Sequence, residues 1–265
     1  MQLLIVDAMN LIRRVYAAVE NSPTALEATA SRAIAIINSN VGRLECSHVA
    51  MVFEDHVETW RHRFWPDYKK DRPPMPEKLQ NGLDELRHQL ELAGVYCFRQ
   101  EGWEADDVCA ALANKAALAG VPSVILSTDK GFCQLVNSRI RVANHFDRQL
   151  LDEAAVYARF GLQPGQLVDF WALTGDTTNH LPGVPGIGPK TAAQLLDHCY
   201  RLDRVLIALE QLSELAGVTS RIVDSLKNHW QQALLTRELA RLSDDLPLGI
   251  NLHDLRFCVR DTETF

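Results

Sequence analysis

The run Leu3-Leu4-Ile5-Val6-Asp7, four consecutive apolar residues closed by an acid, decides the fold. It is too short for a helix and reads as a strand buried on both faces, as in a parallel sheet covered by helices. Three further runs of this kind lie downstream at Val49–Phe53, Val95–Phe98 and Val124–Leu126. Between them apolar residues recur at helical spacing over about 24–40, 76–93 and 104–119, the last closed by Gly120 with Pro122 beyond. This alternation predicts an α/β fold, a mostly parallel sheet flanked by helices. From about Pro164 the strand pattern fades, and short helices around a Gly/Pro cluster at 182–189 are expected to form a C-terminal helical region. The expected division is an α/β core over 1–160, a helical region over 161–259 and a loose tail over 260–265.

Composition narrows the function. With 265 residues, 47% hydrophobic and 23% charged, the chain can bury a sizeable core and is neither disordered nor fibrous. No apolar stretch approaches the length of a membrane span, so no membrane partner is expected. The start of the chain lacks a basic segment before its apolar run and does not read as a secretory signal. Six scattered cysteines without CxxC spacing suggest buried thiols in a reducing compartment, hence a cytoplasmic location, and no zinc site. The net charge of −7 argues against a general basic coat for nucleic acid but leaves room for a local basic stripe.

In an open parallel sheet, function gathers at the carboxyl ends of the strands. There Asp7 follows the first run, Glu54 and Asp55 the second, and Asp129 the Ile-Leu-Ser-Thr of the fourth. Glu104-Ala105-Asp106-Asp107 opens a helix, whose positive N-terminal end tolerates clustered acids. Crowded carboxylates repel and raise one another's pKa unless a cation compensates. A hard divalent ion with oxygen ligands, Mg²⁺ or Mn²⁺, suits a set that contains neither His nor Cys. The plainer alternative is that Asp7 caps the following helix while Glu104 and Asp107 stabilise a helix start.

These blocks, with Gly175-Asp176 and Pro182-Gly183-Val184-Pro185-Gly186-Ile187-Gly188-Pro189-Lys190-Thr191-Ala192, resemble in order the 5′-nuclease family. That family comprises flap endonucleases and the 5′–3′ exonuclease domains attached to bacterial DNA polymerase I. The stand-alone length looks most like the exonuclease IX type. The resemblance implies a PIN-like core and Mg²⁺-dependent cleavage of 5′-flap or other branched DNA, as in Okazaki fragment processing and repair. It implies no protein partner. Asp7, Glu54, Glu104, Asp106, Asp107 and Asp129 would hold the metal, and Lys69 and Arg72 would steer the scissile phosphate. Two positions depart from the pattern. Gly131 and Asn179 stand where the family usually has acids of a second metal site, leaving Asp176 alone. A branched-DNA-binding protein with weak nuclease activity is therefore the alternative, and a ribonuclease a more distant one.

Two segments are candidates for holding DNA. Gly186-Ile187-Gly188-Pro189-Lys190-Thr191 allows close backbone approach, then offers a helix N-terminus and a cation to a phosphate, as in a helix–hairpin–helix. The resemblance adds K⁺ at this turn, held by the main-chain carbonyls of Leu173, Thr174, Pro182, Val184 and Ile187. Residues 60–78 carry Arg61, Arg63, Lys69, Lys70, Arg72 and Lys78 against three acids, interleaved with Trp60, Phe64, Trp65 and Tyr68. Aromatics among cations suit single-stranded DNA, and by resemblance this is the arch or clamp, with Tyr68, Lys69 and Arg72 as its DNA contacts. The histidines, His62, His145 and His180 among them, show no paired metal spacing.

Overall fold

The computed structural model describes residues 1–54, 58–214 and 217–258; Asp55 and the 260–265 tail lie outside them. In chain order the strands are β1 (Leu3–Asp7), β2 (His48–Val52), β3 (Tyr96–Phe98), β4 (Ser123–Leu126), β5 (Ile140–Ala143) and β6 (Leu150–Leu151). The α-helices of the core are α1 (Ala8–Ala17), α2 (Ala25–Leu44), α3 (Trp60–Phe64), α4 (Glu77–Asn81), α5 (Leu83–Leu92), α6 (Ala105–Leu118) and α7 (Glu153–Phe160). Those that follow are α8 (Leu167–Thr174), α9 (Pro189–Cys199), α10 (Leu202–Ile207), α11 (Ser220–Asn228) and α12 (Trp230–Ala240).

The six strands form one sheet in the order β3-β2-β1-β4-β5-β6, parallel except for the β5–β6 pair. β1 is central, pairing Leu4 with Val49 on one side and with Val124 on the other. Its five residues are all buried, because helices cover both faces. Leu3 and Ile5 join one core with α6 and the C-terminal helices; Leu4 and Val6 join a second with α1, α2 and α5. The first core runs without a break from Ile125 through Trp171 to Leu195 and Ala233, so the C-terminal helices are packed onto the sheet through shared apolar side chains. The order reverses about β1, placing the crevice of a doubly wound sheet at the carboxyl ends of β1 and β4.

Two expectations from the sequence are corrected. The helical pattern over 76–93 is two helices, broken at Gly82, where a Cβ would meet the Leu26 side chain at 2.5 Å. The pair β5–β6 was not anticipated, since four and two residues are too few to establish a period.

Candidate active site

Asp7, Glu54, Asp106 and Asp129 line one cleft of about 300 Å³, together with Asn10, Arg13, Arg14 and Arg72. Each acid is placed by a different element: Asp7 ends β1, Glu54 follows β2, Asp129 follows β4 and Asp106 opens α6. Asp7 also caps α1 by accepting from the Asn10 amide at 3.1 Å, so its structural and chemical readings coexist. Ser127 Oγ donates to its other oxygen at 2.9 Å. Asn10 in turn accepts from the amide and hydroxyl of Thr128, locking α1 to the end of β4. Gly131 lies in the turn after Asp129, and its amide donates to Asp129 Oδ1 at 2.7 Å.

Asp7 is buried and Glu54, Asp106 and Asp129 are half-buried; among the described residues only Asp106 of the four has a cation at ion-pair distance, Lys69 at 3.6 Å. Burial, with the charge of Asp106 beside it, pushes the Asp7 carboxyl up to about 8. Burial likewise raises Glu54 to about 7 despite the opposing Lys69. Asp129 is raised by burial and by Asp106. Among the described residues no three His, Cys, Asp or Glu side chains form a ready-made ion cage. The donor chemistry still fits a hard cation that keeps several waters, because all four acids offer oxygen and line one cleft of about 300 Å³.

The other two acids are placed differently. Asp107, expected among the ion ligands, is fully buried with both oxygens taken by Arg61, at 2.6 and 2.8 Å, and it also accepts from the Ser243 amide. Burial pushes its carboxyl up against the opposing contacts with Arg61 and the Ser243 amide, while the acids around Arg61 keep the guanidinium above its ordinary value. Arg61 is itself 1% exposed and donates to the Leu239 and Arg241 carbonyls at the end of α12. Glu104 accepts from Thr59, Tyr68 and Lys69. Burial would raise it; Lys69 and Arg61 outweigh burial and hold it near 2.

The basic segment is thus partly folded inward. Tyr68, expected to stack on bases, is 5% exposed with its hydroxyl on Glu104 at 3.0 Å; its ring serves the small core of Leu181 and Leu239. The aromatic that this segment exposes is Phe64, at 68%. Lys69 reaches Glu104 at 2.9 Å and Asp106 at 3.6 Å. Its backbone is left-handed, with φ 55°, a strained conformation for a side-chain-bearing residue. The Lys69 amide holds it by donating to the Asn179 carbonyl at 3.1 Å. Arg72 lines the cleft, as do Arg13 and Arg14, which the sequence did not single out. Arg13 donates to the carbonyls of Pro73 and Pro74, clipping α1 to this segment.

Beyond α8, Gly175 has φ 74° and Gly183 approaches so closely that a Cβ on it would collide with the Thr174 backbone. The Leu173 carbonyl accepts from Val184, and the Val184 carbonyl accepts from Ile187. Thr236 and Gln232 of α12 donate to the Pro182 and Gly183 carbonyls. Ile187 plugs the core while Gly186, Gly188, Pro189 and Lys190 stay exposed and Thr191 is half-buried at the start of α9. Of the histidines named above, His62 closes a capping box with Thr59 and His180 pairs with Asp71.

Residues 2–161 match the family model of the 5′-3′ exonuclease N-terminal resolvase-like domain, and 162–263 that of the 5′-3′ exonuclease C-terminal SAM fold. The chain is 41% identical over 259 residues to the flap endonuclease Xni of Aeromonas hydrophila, covering 96% of this chain and 95% of that one. It is similar in fold to T5 5′-exonuclease with bound zinc, with TM-score 0.76, 21% identity and coverage of 92% and 90%. A T5 D15 flap endonuclease complex with DNA and metal ions gives TM-score 0.75 at 20% identity, again over 92% and 90%.

Proposed function

From a chain that belongs to the 5′–3′ exonuclease family, we infer a structure-selective 5′ nuclease that hydrolyses phosphodiesters of 5′-flap and related branched DNA, in processing of replication or repair intermediates such as Okazaki fragment flaps. The observation that carries it is the cleft of Asp7, Glu54, Asp106 and Asp129, in which Asp7, Glu54 and Asp129 have no cation at ion-pair distance among the described residues. These four would hold Mg²⁺, with Mn²⁺ as a substitute and Glu104 as the neighbour that orients Lys69. A divalent ion supplies activation of the attacking water and screening of charge developing on the phosphate.

The protein's own groups do the rest. Ser127 and Asn10 fix the Asp7 oxygens in place. Lys69, tied to Glu104, keeps an ammonium beside Asp106. Arg72, Arg13 and Arg14 give the cleft a cationic wall for the backbone of the incoming strand. The exposed 186–191 turn would hold duplex phosphates. The carbonyls of Leu173, Thr174, Pro182, Val184 and Ile187 would hold K⁺; in support, Gly175 and Gly183 draw the backbone at 174 and 181–183 together, and a carbonyl already accepting one bond keeps a second lone pair.

End-labelled 5′-flap DNA, the matching duplex and flap RNA, each with Mg²⁺ and with EDTA, test the reading. Cleavage of the DNA flap near its junction, only with Mg²⁺, is the expected result. Tight flap binding without cleavage would favour a branched-DNA-binding protein.

A further inference from the structure

Asp176 borders the acids of the cleft yet differs from Asp7, Glu54 and Asp129 in having its charge met. It sits at the α8 end of the loop 176–181, which closes on itself through paired backbone bonds between Asp176 and Leu181. Its Oδ1 lies 3.1 Å from Lys130 Nζ and accepts from the Thr178 amide at 3.1 Å. Its Oδ2 accepts from Asn179 Nδ2 at 2.9 Å. Asp176 and Asn179 line a small cavity of about 30 Å³ with Arg61, Asp106, Asp129, Gly131 and Tyr68, and the Arg61 guanidinium there is engaged by Asp107 and Glu104. Three carboxylates around so small a space repel unless a positive charge is supplied. Lys130 follows Asp129 directly, so one short turn delivers an acid to the cleft and a cation to Asp176. The amide of Asn179 turns its N–H side to Asp176, leaving its own oxygen buried and unpartnered among the described residues. An acid at 179 would instead confront Asp176 with a like charge.

We propose that the Lys130 ammonium is a resident counter-ion that satisfies Asp176 and closes this side of the cavity to divalent cations. Ion uptake is thereby confined to Asp7, Glu54, Asp106 and Asp129, an assignment that rests on the cleft reading above. Lys130 sets how many ions the site takes, and Asn179 completes the closure by donating where a ligand would have to accept. Because the ammonium is covalently attached, its charge is present whatever the divalent concentration. Lys130 is a positioning residue here, acting through Asp176.

The test counts Mn²⁺ bound per chain by calorimetry and by the spin-resonance signal of free Mn²⁺, on the full chain without DNA. Unmodified protein is compared with Lys130→Met, Lys130→Arg, Asn179→Asp and the Lys130→Met/Asn179→Asp pair. Lys130→Met is expected to take up one Mn²⁺ more per chain than the unmodified protein, and the pair to hold it at least about tenfold tighter, since affinity follows ligand charge. Lys130→Arg keeps the unmodified count, and adding Asp176→Asn to the pair abolishes the gain. Lys130 is about one-third exposed, so its loss leaves the core intact; the arginine variant controls for any misfolding. An unchanged count in both Lys130→Met and the pair overturns the proposal. Failure of the unmodified protein to bind Mn²⁺ sinks the cleft reading instead, while a gain on removing Lys130 supports the counter-ion in either case.

Discussion

The two sides of the cleft carry similar numbers of acids and treat them in opposite ways. Toward α1, Asp7 is buried and Glu54 and Asp129 are half-buried with no cation at ion-pair distance among the described residues, and their carboxyls are pushed up. Toward α8 and α12, Glu104, Asp107 and Asp176 are met by Lys69, Arg61 and Lys130. Buried charge is costly unless compensated. The compensated acids therefore serve the architecture, while the uncompensated ones remain available to a cation from outside. Asp106 sits between the two groups, 3.6 Å from Lys69 and about one-fifth exposed.

The largest effect is expected where the compensated side is broken. Arg61→Met would strand Asp107 in the core and leave the Leu239 and Arg241 carbonyls without their donor. Removing one partner of a buried pair typically costs about 3–5 kcal/mol, and urea unfolding should register a loss of this size. A loss below about 1 kcal/mol, the scale of an exposed pair, would show that this side is not structural.

Next in size is the contrast between two single-atom changes. Asp106→Asn should lower Mg²⁺-dependent flap cleavage by at least roughly 10²-fold, the scale of losing a key charge-stabilising group, with circular dichroism unchanged. Asp176→Asn should cost only a few-fold, because its charge is met internally by Lys130. Equal losses in the two variants would erase the distinction between the sides.

That distinction shows what the sequence could and could not express. Asp7 and Asp129 were legible because a buried strand followed by an acid places that acid at a sheet edge whatever else the chain does. Arg61 and Tyr68 were not. They sit in a Pro-rich tract whose composition describes a solvated loop, yet Arg61 finds Asp107 46 residues away and Leu239 178 residues away. Nothing within the local pattern records such partners. Asn179 was visible as a missing acid, but its bond to Asp176 and the neighbouring Lys130 contact required the loop to be folded. The exposed Phe64 was indistinguishable by composition from its buried neighbours.

A smaller effect follows from the raised carboxyls. Asp7 is held up at about 8 and Glu54 at about 7, against ordinary values of 3.8 and 4.5. The folded protein without divalent ions therefore binds more protons than the unfolded chain across that window. The stability these two groups contribute is fully present below the ordinary carboxylate range and is lost as pH rises through about 7 to 8. Divalent ions bind the deprotonated form, so uptake releases protons and apparent affinity should rise about tenfold per pH unit for each proton displaced. Melting in EDTA and in Mg²⁺ from pH 5 to 9 should give curves that diverge with pH. Parallel curves, with no proton release in paired calorimetry buffers, would remove the case for an uncompensated cluster.

The smallest effect tests whether the duplex-holding turn is independent of both sides. Gly186 has φ 82°, and a Cβ built there meets no atom within 4 Å. A side chain therefore has room, and the penalty of Gly186→Ala is conformational, about 1 kcal/mol for a non-glycine residue in the left-handed region. That strain falls on the exposed turn whose backbone must approach phosphate. Duplex affinity should weaken about fivefold, the equivalent of that energy, in a titration with Ca²⁺ replacing Mg²⁺ to suppress cleavage. Mn²⁺ uptake at the cleft should be unchanged, because none of the four acids lining it belongs to the turn. The same titration in KCl and in NaCl at equal ionic strength should favour KCl for the unmodified protein, if the carbonyls beside this turn hold K⁺. A Gly186→Ala variant that loses Mn²⁺ uptake together with duplex affinity would mean that the turn and the cleft are one coupled unit. An unaltered duplex affinity would instead remove the turn from the DNA-binding surface.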